Sequence, residues 1–238
     1  MACRMIDMQR YPRREHFDYF RSLPYPYVGV TAEVDVSALA GFCKAQGCSF
    51  YLSFLHAAAL AADEVAPLRQ RIRGGGIVEY SECPTSHIEL KEDGTYCYCT
   101  LRHHLSWDAY LRSAAEERKK CREKGTIQED GDVESMYFIS ALPWLHYSSL
   151  IQPVAGGDES NPRITWGKFQ WDGAGKCAMP PFHPDPPRPG GRRPSGAVLR
   201  KSAGKNGGNL PRPVIQRFPK GVCEKTQTVP SDFFHAGG

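Results

Sequence analysis

Several residues in this sequence have side-chain types and spacings that could do chemistry. Cys97 and Cys99 are followed closely by His103 and His104. Thiolate and imidazole are ligands that zinc takes, and in an alternating strand both thiols point to one face. The C-x-C spacing is not that of a usual zinc knuckle. A strand Tyr96-Cys97-Tyr98-Cys99 with small thiols facing a core accounts for the same residues, so no metal is expected. Ser148 and Ser149 follow a Pro143-Trp144 turn, where a hydroxyl could serve a reacting carbonyl or simply a turn. Arg188, Arg192, Arg193, Arg200 and Lys201 could contact nucleic-acid phosphates. Aromatic residues are poorly interleaved with them and no nucleic-acid fold is recognised, so a solvated basic tail without a nucleic-acid partner is the expectation.

The elements that must position these groups alternate before Met179. Asp7 to Leu23 reads as a helix bounded by Pro12 and Pro24. Tyr27 to Val34 alternates as a half-buried strand. Asp35 or Ser37 can cap a helix through Leu39, Phe42 and Cys43, closed by Gly47. Ser49 opens a longer apolar helix, Phe50 to Val65. Strands are predicted at Gly76–Tyr80, Ser86–Leu90 and Thr95–Leu101, the last two joined as a hairpin by Asp93-Gly94. A charged amphipathic helix runs from Ser106 to Lys124 with Trp107, Tyr110, Leu111 and Ala114 on one face. Strands at Met136–Ser140 and Arg163–Gln170 follow. The fold class is α/β: a two-layer sandwich in which a mixed β-sheet is covered by helices on one face, followed by a disordered Pro/Gly-rich tail.

The tail separates itself by composition. Of 238 residues, the last 59 hold 11 of the 19 prolines and 9 of the 23 glycines. They carry 10 Lys+Arg against 3 Asp+Glu, a net of +7, which leaves −3 for residues 1–179 within the total of +4. Such a segment cannot build helices or central strands. Two parts are therefore expected, an organised domain over 1–179 and a disordered basic tail over 180–238. The longest apolar stretch, about Phe54 to Ala62, is too short to cross a bilayer, and no membrane partner is expected. The N-terminal residues have no signal-peptide apolar region. Nine scattered cysteines fit reduced thiols in a cytoplasm.

Several strings, in order, resemble type A chloramphenicol acetyltransferases. They are Arg13-Arg14-Glu15-His16-Phe17, Leu23-Pro24 entering the first strand, and Ser49-Phe50-Tyr51 opening the buried helix. Ile139-Ser140-Ala141-Leu142-Pro143-Trp144 with Ser149 comes next, then Pro162-Arg163-Ile164-Thr165-Trp166-Gly167-Lys168-Phe169. The resemblance runs from about residue 6 to 179. It implies a CoA-dependent acyltransferase-like sandwich, a homotrimer if the core is complete, with active sites at subunit interfaces. Acetyl-CoA is the implied co-substrate, and chloramphenicol or another small alcohol the implied acceptor. A histidine would take the acceptor's proton and a serine hydroxyl would stabilise the oxyanion. Ser149 matches that serine. Arg13 matches an arginine that supports the site by pairing with the Asp of the family's HHxxxDG motif. Tyr19, Phe20 and Tyr25 fall where the family lines its acceptor pocket, and Tyr25 departs from the small residue often found there.

The HHxxxDG motif itself is missing from its place near residue 190. His103-His104-Leu105-Ser106-Trp107-Asp108-Ala109 nearly spells it, but Ala109 replaces the Gly and the string heads a charged helix, where Ser106 and Asp108 are ordinary start residues. Reading codons one base later from Pro181 changes the picture. Phe182 permits Ser, His183 Ile, Pro184 Gln, Asp185 Thr, and Pro186 and Pro187 each His. Carried on to Pro194, the string is P-S-I-Q-T-H-H-A-L-A-D-G-G-H. Middle bases fall on wobble positions, which are usually free, whereas every first base is fixed and agrees. The expectation is an out-of-frame tail and a chain that lacks its catalytic His and is nearly inactive. The alternative is a non-catalytic degenerate homologue that binds ligand or partner subunits.

Overall fold

A computed structural model describes residues 2–129, 131–171 and 177–179. The disordered tail expected over 180–238 therefore lies outside the described residues. In chain order the strands and α-helices are β1 (Cys3–Met5), α1 (Arg14–Arg21), β2 (Val34–Asp35), α2 (Ser37–Gln46) and α3 (Phe50–Asp63). They continue with β3 (Gln70–Arg73), β4 (Gly76–Tyr80), β5 (Thr85–Leu90), β6 (Tyr96–Leu101) and α4 (Trp107–Lys124). The last are β7 (Tyr137–Leu142), β8 (Arg163–Gly167), β9 (Gln170–Trp171) and β10 (Cys177–Met179).

The central sheet has the order β6-β5-β7-β8 and is mixed. β5 pairs antiparallel with β6, Leu90 opposite Tyr96 across the Asp93-Gly94 turn. Gly94 takes φ +80° there, a value that strains any residue with a Cβ. β5 to β7 and β7 to β8 are parallel; α4 lies in the first crossover, and the irregular segment 143–162 makes the second. Two smaller sheets, β1-β4-β3 and β2-β10-β9, flank it. Gly74 and Gly75, both at positive φ, form the two-residue loop between β3 and β4, Arg73 pairing with Gly76.

Strand alternation sorts the sheet into two faces. Cys97, Cys99 and Leu101 of β6, His87 and Glu89 of β5, Tyr137 and Ile139 of β7, and Ile164 and Trp166 of β8 are all buried. They face α3 and α4. α3 contributes Leu52, Phe54, Leu55, Ala58, Ala61 and Ala62 to the same core. The small alanines let this helix approach the sheet closely, while Phe54 packs edge-on against Trp166 at 5.1 Å. Its start is fixed as expected: the Ser49 hydroxyl accepts the Leu52 N–H at 3.3 Å. α2 ends at Gly47 in the left-handed conformation. Cys97 and Cys99 are thus core thiols, and the eight described cysteines are all free.

Three expectations need correction. The strand drawn over Tyr27–Val34 survives only at its end, as Val34–Asp35. Extended chain pairs only where a neighbour offers a ladder, and β10 reaches just Val34 and Asp35. The helix over Asp7–Leu23 contracts to Arg14–Arg21, beginning after Pro12, whose fixed φ suits a helix start but not an interior. Arg163–Gln170 divides into β8 and β9 at Lys168-Phe169.

Candidate functional site

Ser149 lies beyond the end of β7. The chain leaves Leu142 through a turn at Pro143-Trp144, closed by the Leu145 N–H donating to the Leu142 carbonyl at 2.9 Å. Ser149 is exposed, and among the described residues its hydroxyl makes no hydrogen bond. It can therefore donate to a ligand oxygen without first breaking an internal bond. Trp144, 72% exposed, and Ile151, 86% exposed, bracket it. The far end of the loop is tied down. Gln152 Nε2 donates to Thr165 Oγ1, and the buried Ser160 Oγ accepts the Ile72 N–H at 2.8 Å. Asn161 Nδ2 donates to the carbonyls of Val133, Glu134 and Met136.

Arg13 precedes α1 and is exposed. Nearly two turns further on, Tyr19 and Phe20 meet edge to face at 5.3 Å. Tyr25 meets Tyr27 similarly at 5.2 Å. α1 is fastened to the loop ahead of β8 by Arg21, whose Nε and Nη2 donate to the two carboxylate oxygens of Asp158 at 3.0 and 2.9 Å. This bond ties the aromatic group to the start of β8, which lies beside the start of β7, whereas Ser149 follows the far end of β7. Among the described residues no hydrogen bond, ion pair or ring contact joins Ser149 to Arg13, Tyr19, Phe20 or Tyr25. One chain does not assemble these five into a closed site.

At the other end of β7 lies a cluster that sequence reasoning did not foresee. Asp63 ends α3, and its Oδ2 lies 2.7 Å from both His103 Nε2 and His104 Nε2. Its Oδ1 accepts the Tyr137 hydroxyl at 2.7 Å. Burial pushes the Asp63 carboxyl up, but the bonds from His103, His104 and Tyr137 outweigh it and hold the group at about 2. His104 is shifted upward by its bond to Asp63. The nearby His56 is pushed down to about 4, chiefly by burial, and its Nε2 donates to the carbonyls of His103 and Leu105. An acidic residue closing an apolar helix was the one local sign of this cluster. Ser106 and Asp108 form the cap and first turn of α4 as expected, so His103-to-Ala109 is a helix start.

Comparison with solved structures gives the class. A chloramphenicol acetyltransferase superposes with TM-score 0.65 over 79% of this chain and 91% of its own, at 24% identity. The dihydrolipoamide acetyltransferase of Azotobacter vinelandii does so with TM-score 0.52 over 73% and 77%, at 17% identity. The fold is that of the CoA-dependent acyltransferases. A curated Proteus mirabilis chloramphenicol acetyltransferase is 24% identical over 74% of this chain and 82% of its own length. An Escherichia coli relative is 25% identical over 74% and 80%. The family model for chloramphenicol acetyltransferase matches residues 1–181, and the chain belongs to that family.

Proposed function

We propose that the gene encodes an acetyl-CoA-dependent O-acetyltransferase for chloramphenicol or another small alcohol, and that the chain as written is close to inactive. The observation that carries the reading is where the family match stops. It ends at residue 181 of 238, at the residue from which the shifted frame restores H-H-A-L-A-D-G. The divergence and the change in composition thus coincide within two residues.

In this reading Ser149 donates its hydroxyl to the tetrahedral oxyanion formed as the acceptor oxygen attacks the thioester carbonyl. Tyr19, Phe20 and Tyr25 supply apolar walls for the acceptor, and Arg13 orients the motif's Asp. The general base would come from the restored histidine pair. Without it the acceptor proton has no positioned receiver, which lowers the rate by roughly two to four orders of magnitude. A homotrimer with sites between subunits accounts for the five residues standing apart in one chain. It also accounts for Ile88, Leu90 and Tyr96, which sit exposed on the sheet face turned away from the helices. Among the described residues no helix is long and apolar enough to cross a membrane, which suits a cytoplasmic enzyme.

The test is CoA release from acetyl-CoA and chloramphenicol, with the chain as written and with a frame-restored version. Release by the restored chain alone supports the proposal. A normal family rate from the chain as written overturns the inactivity, and no turnover by either favours a non-catalytic homologue. Mass spectrometry of C-terminal peptides from the natural host decides the frame: H-H-A-L-A-D-G-G-H supports it, whereas Ser195 to Arg200 as written refutes it.

A further inference from the structure

We propose that Asp63, His103 and His104 form a divalent-metal site of the zinc class, with Glu82 closing its coordination. The ligand atoms of Asp63, His103 and His104 lie within 4.8 Å of one another. Two imidazoles and a carboxylate are a donor set zinc favours. Glu82 Oε2 stands 3.4 Å from His104 Nε2, so a fourth oxygen is within reach. His103 is fully buried, whereas His104 is half exposed and leaves an entry path.

Geometry supports the assignment. Tetrahedral zinc with bonds of about 2.1 Å separates its ligands by about 3.4 Å. The two 2.7 Å contacts to Asp63 Oδ2 would open by about 0.7 Å each. The imidazole rings, 4.4 Å between centroids and inclined by 34°, already direct both Nε2 atoms at one point. Tyr137 donates to the carboxylate oxygen not offered to the ion, the kind of outer bond that orients a ligating carboxylate. On metal binding a neutral imidazole moves its proton from Nε2 to Nδ1, and an imidazolium releases one to solvent.

This site would tie the end of α3 to the segments before β5 and after β6. β7 places it about 17 Å along the strand from the Ser149 loop. The reading is independent of acetyl transfer. It departs from the expectation of no metal, because that expectation tested the histidines against Cys97 and Cys99, which lie in the core without them.

The test titrates the chelator-stripped full chain with Zn2+ or Co2+ alone. One equivalent should bind, and the Co2+ form should show visible ligand-field bands without thiolate charge transfer in the near ultraviolet. His104→Ala, at a half-exposed position, should weaken binding by about tenfold or more, and Glu82→Gln by less. Absence of one-to-one binding, thiolate bands, or unchanged affinity in His104→Ala overturns the site. The Co2+ spectrum of the unaltered chain decides the ligand type even if the variant fails to fold.

Discussion

Glu89→Gln should reveal how β5 and α4 are held together. Glu89 points into the helix–sheet layer, where its side chain is only 6% exposed. Its Oε1 meets His87 Nε2 at 3.0 Å and Arg118 Nε; its Oε2 takes Arg122 Nη1 at 2.9 Å. Burial alone would raise this carboxyl, but His87 and Arg118 outweigh it and hold it at about 2 against an ordinary 4.5. A depression of that size corresponds to roughly 3 kcal/mol at pH 7. The folded value is the lower one, so this stability is complete above pH 4.5 and is lost as pH falls towards 2. By the same linkage roughly 1 kcal/mol remains at pH 3. The amide can still accept from one arginine, so the variant should lose about 2–3 kcal/mol at pH 7. That corresponds to a Tm lower by about 4–12 °C. Urea unfolding at pH 7 and pH 3 checks the sign, because the gap between wild type and variant should shrink at the lower pH. A gap below about 0.5 kcal/mol at pH 7, or one that widens in acid, would refute the reasoning.

Other positions carry further expectations. A Cβ at Gly125 would stand 2.4 Å from the Cys121 carbonyl oxygen and 2.9 Å from Cys97 Cβ; Gly125→Ala should cost about 1–3 kcal/mol in urea unfolding. Arg71, 1% exposed, donates to the carbonyls of Leu68, Gln70, Glu134 and Met136. Arg71→Met strands these acceptors and should lower stability by about 3 kcal/mol or more, read from the denaturation midpoint. In the frame-restored chain Ser149→Ala should lower kcat by about 10²–10³ with little change in KM. Arg13→Ala should slow that chain, yet leave the stability of the chain as written within about 0.5 kcal/mol.

Local rules were enough for some elements and failed for others. The Asp93-Gly94 hairpin, the Ser49 cap and the Gly47 terminus each depend on a few neighbouring residues, and all stand where expected. The Gly74-Gly75 turn carried an equally local signal that a closer reading of Arg73-Gly74-Gly75-Gly76 would have used. β1 could not be read this way: three exposed residues become a strand only because β4 pairs Cys3 with Tyr80. Tyr27–Val34 fails for the converse reason, having the alternation but little ladder. The Asp63 cluster draws on the end of α3, the segment after β6 and the start of β7. Only the topology brings these together, so no spacing could have shown it.

The sites expected from family resemblance are legible in sequence for a different reason. Ser149, Arg13, Tyr19 and Tyr25 are exposed and anchor nothing in the core. Folding of this chain alone does not require these residue types at these places. Buried positions such as Tyr137 or Asn161 are accounted for by their hydrogen bonds. An exposed Trp144 beside an unbonded serine hydroxyl has no such account within one chain. Under the proposed function its explanation lies in a neighbouring subunit, a substrate, or the segment that the shifted frame would supply. The same proposal covers Arg13, whose expected carboxylate partner would lie in that segment. On that proposal, the side chains left facing outward are the ones a completed site would use.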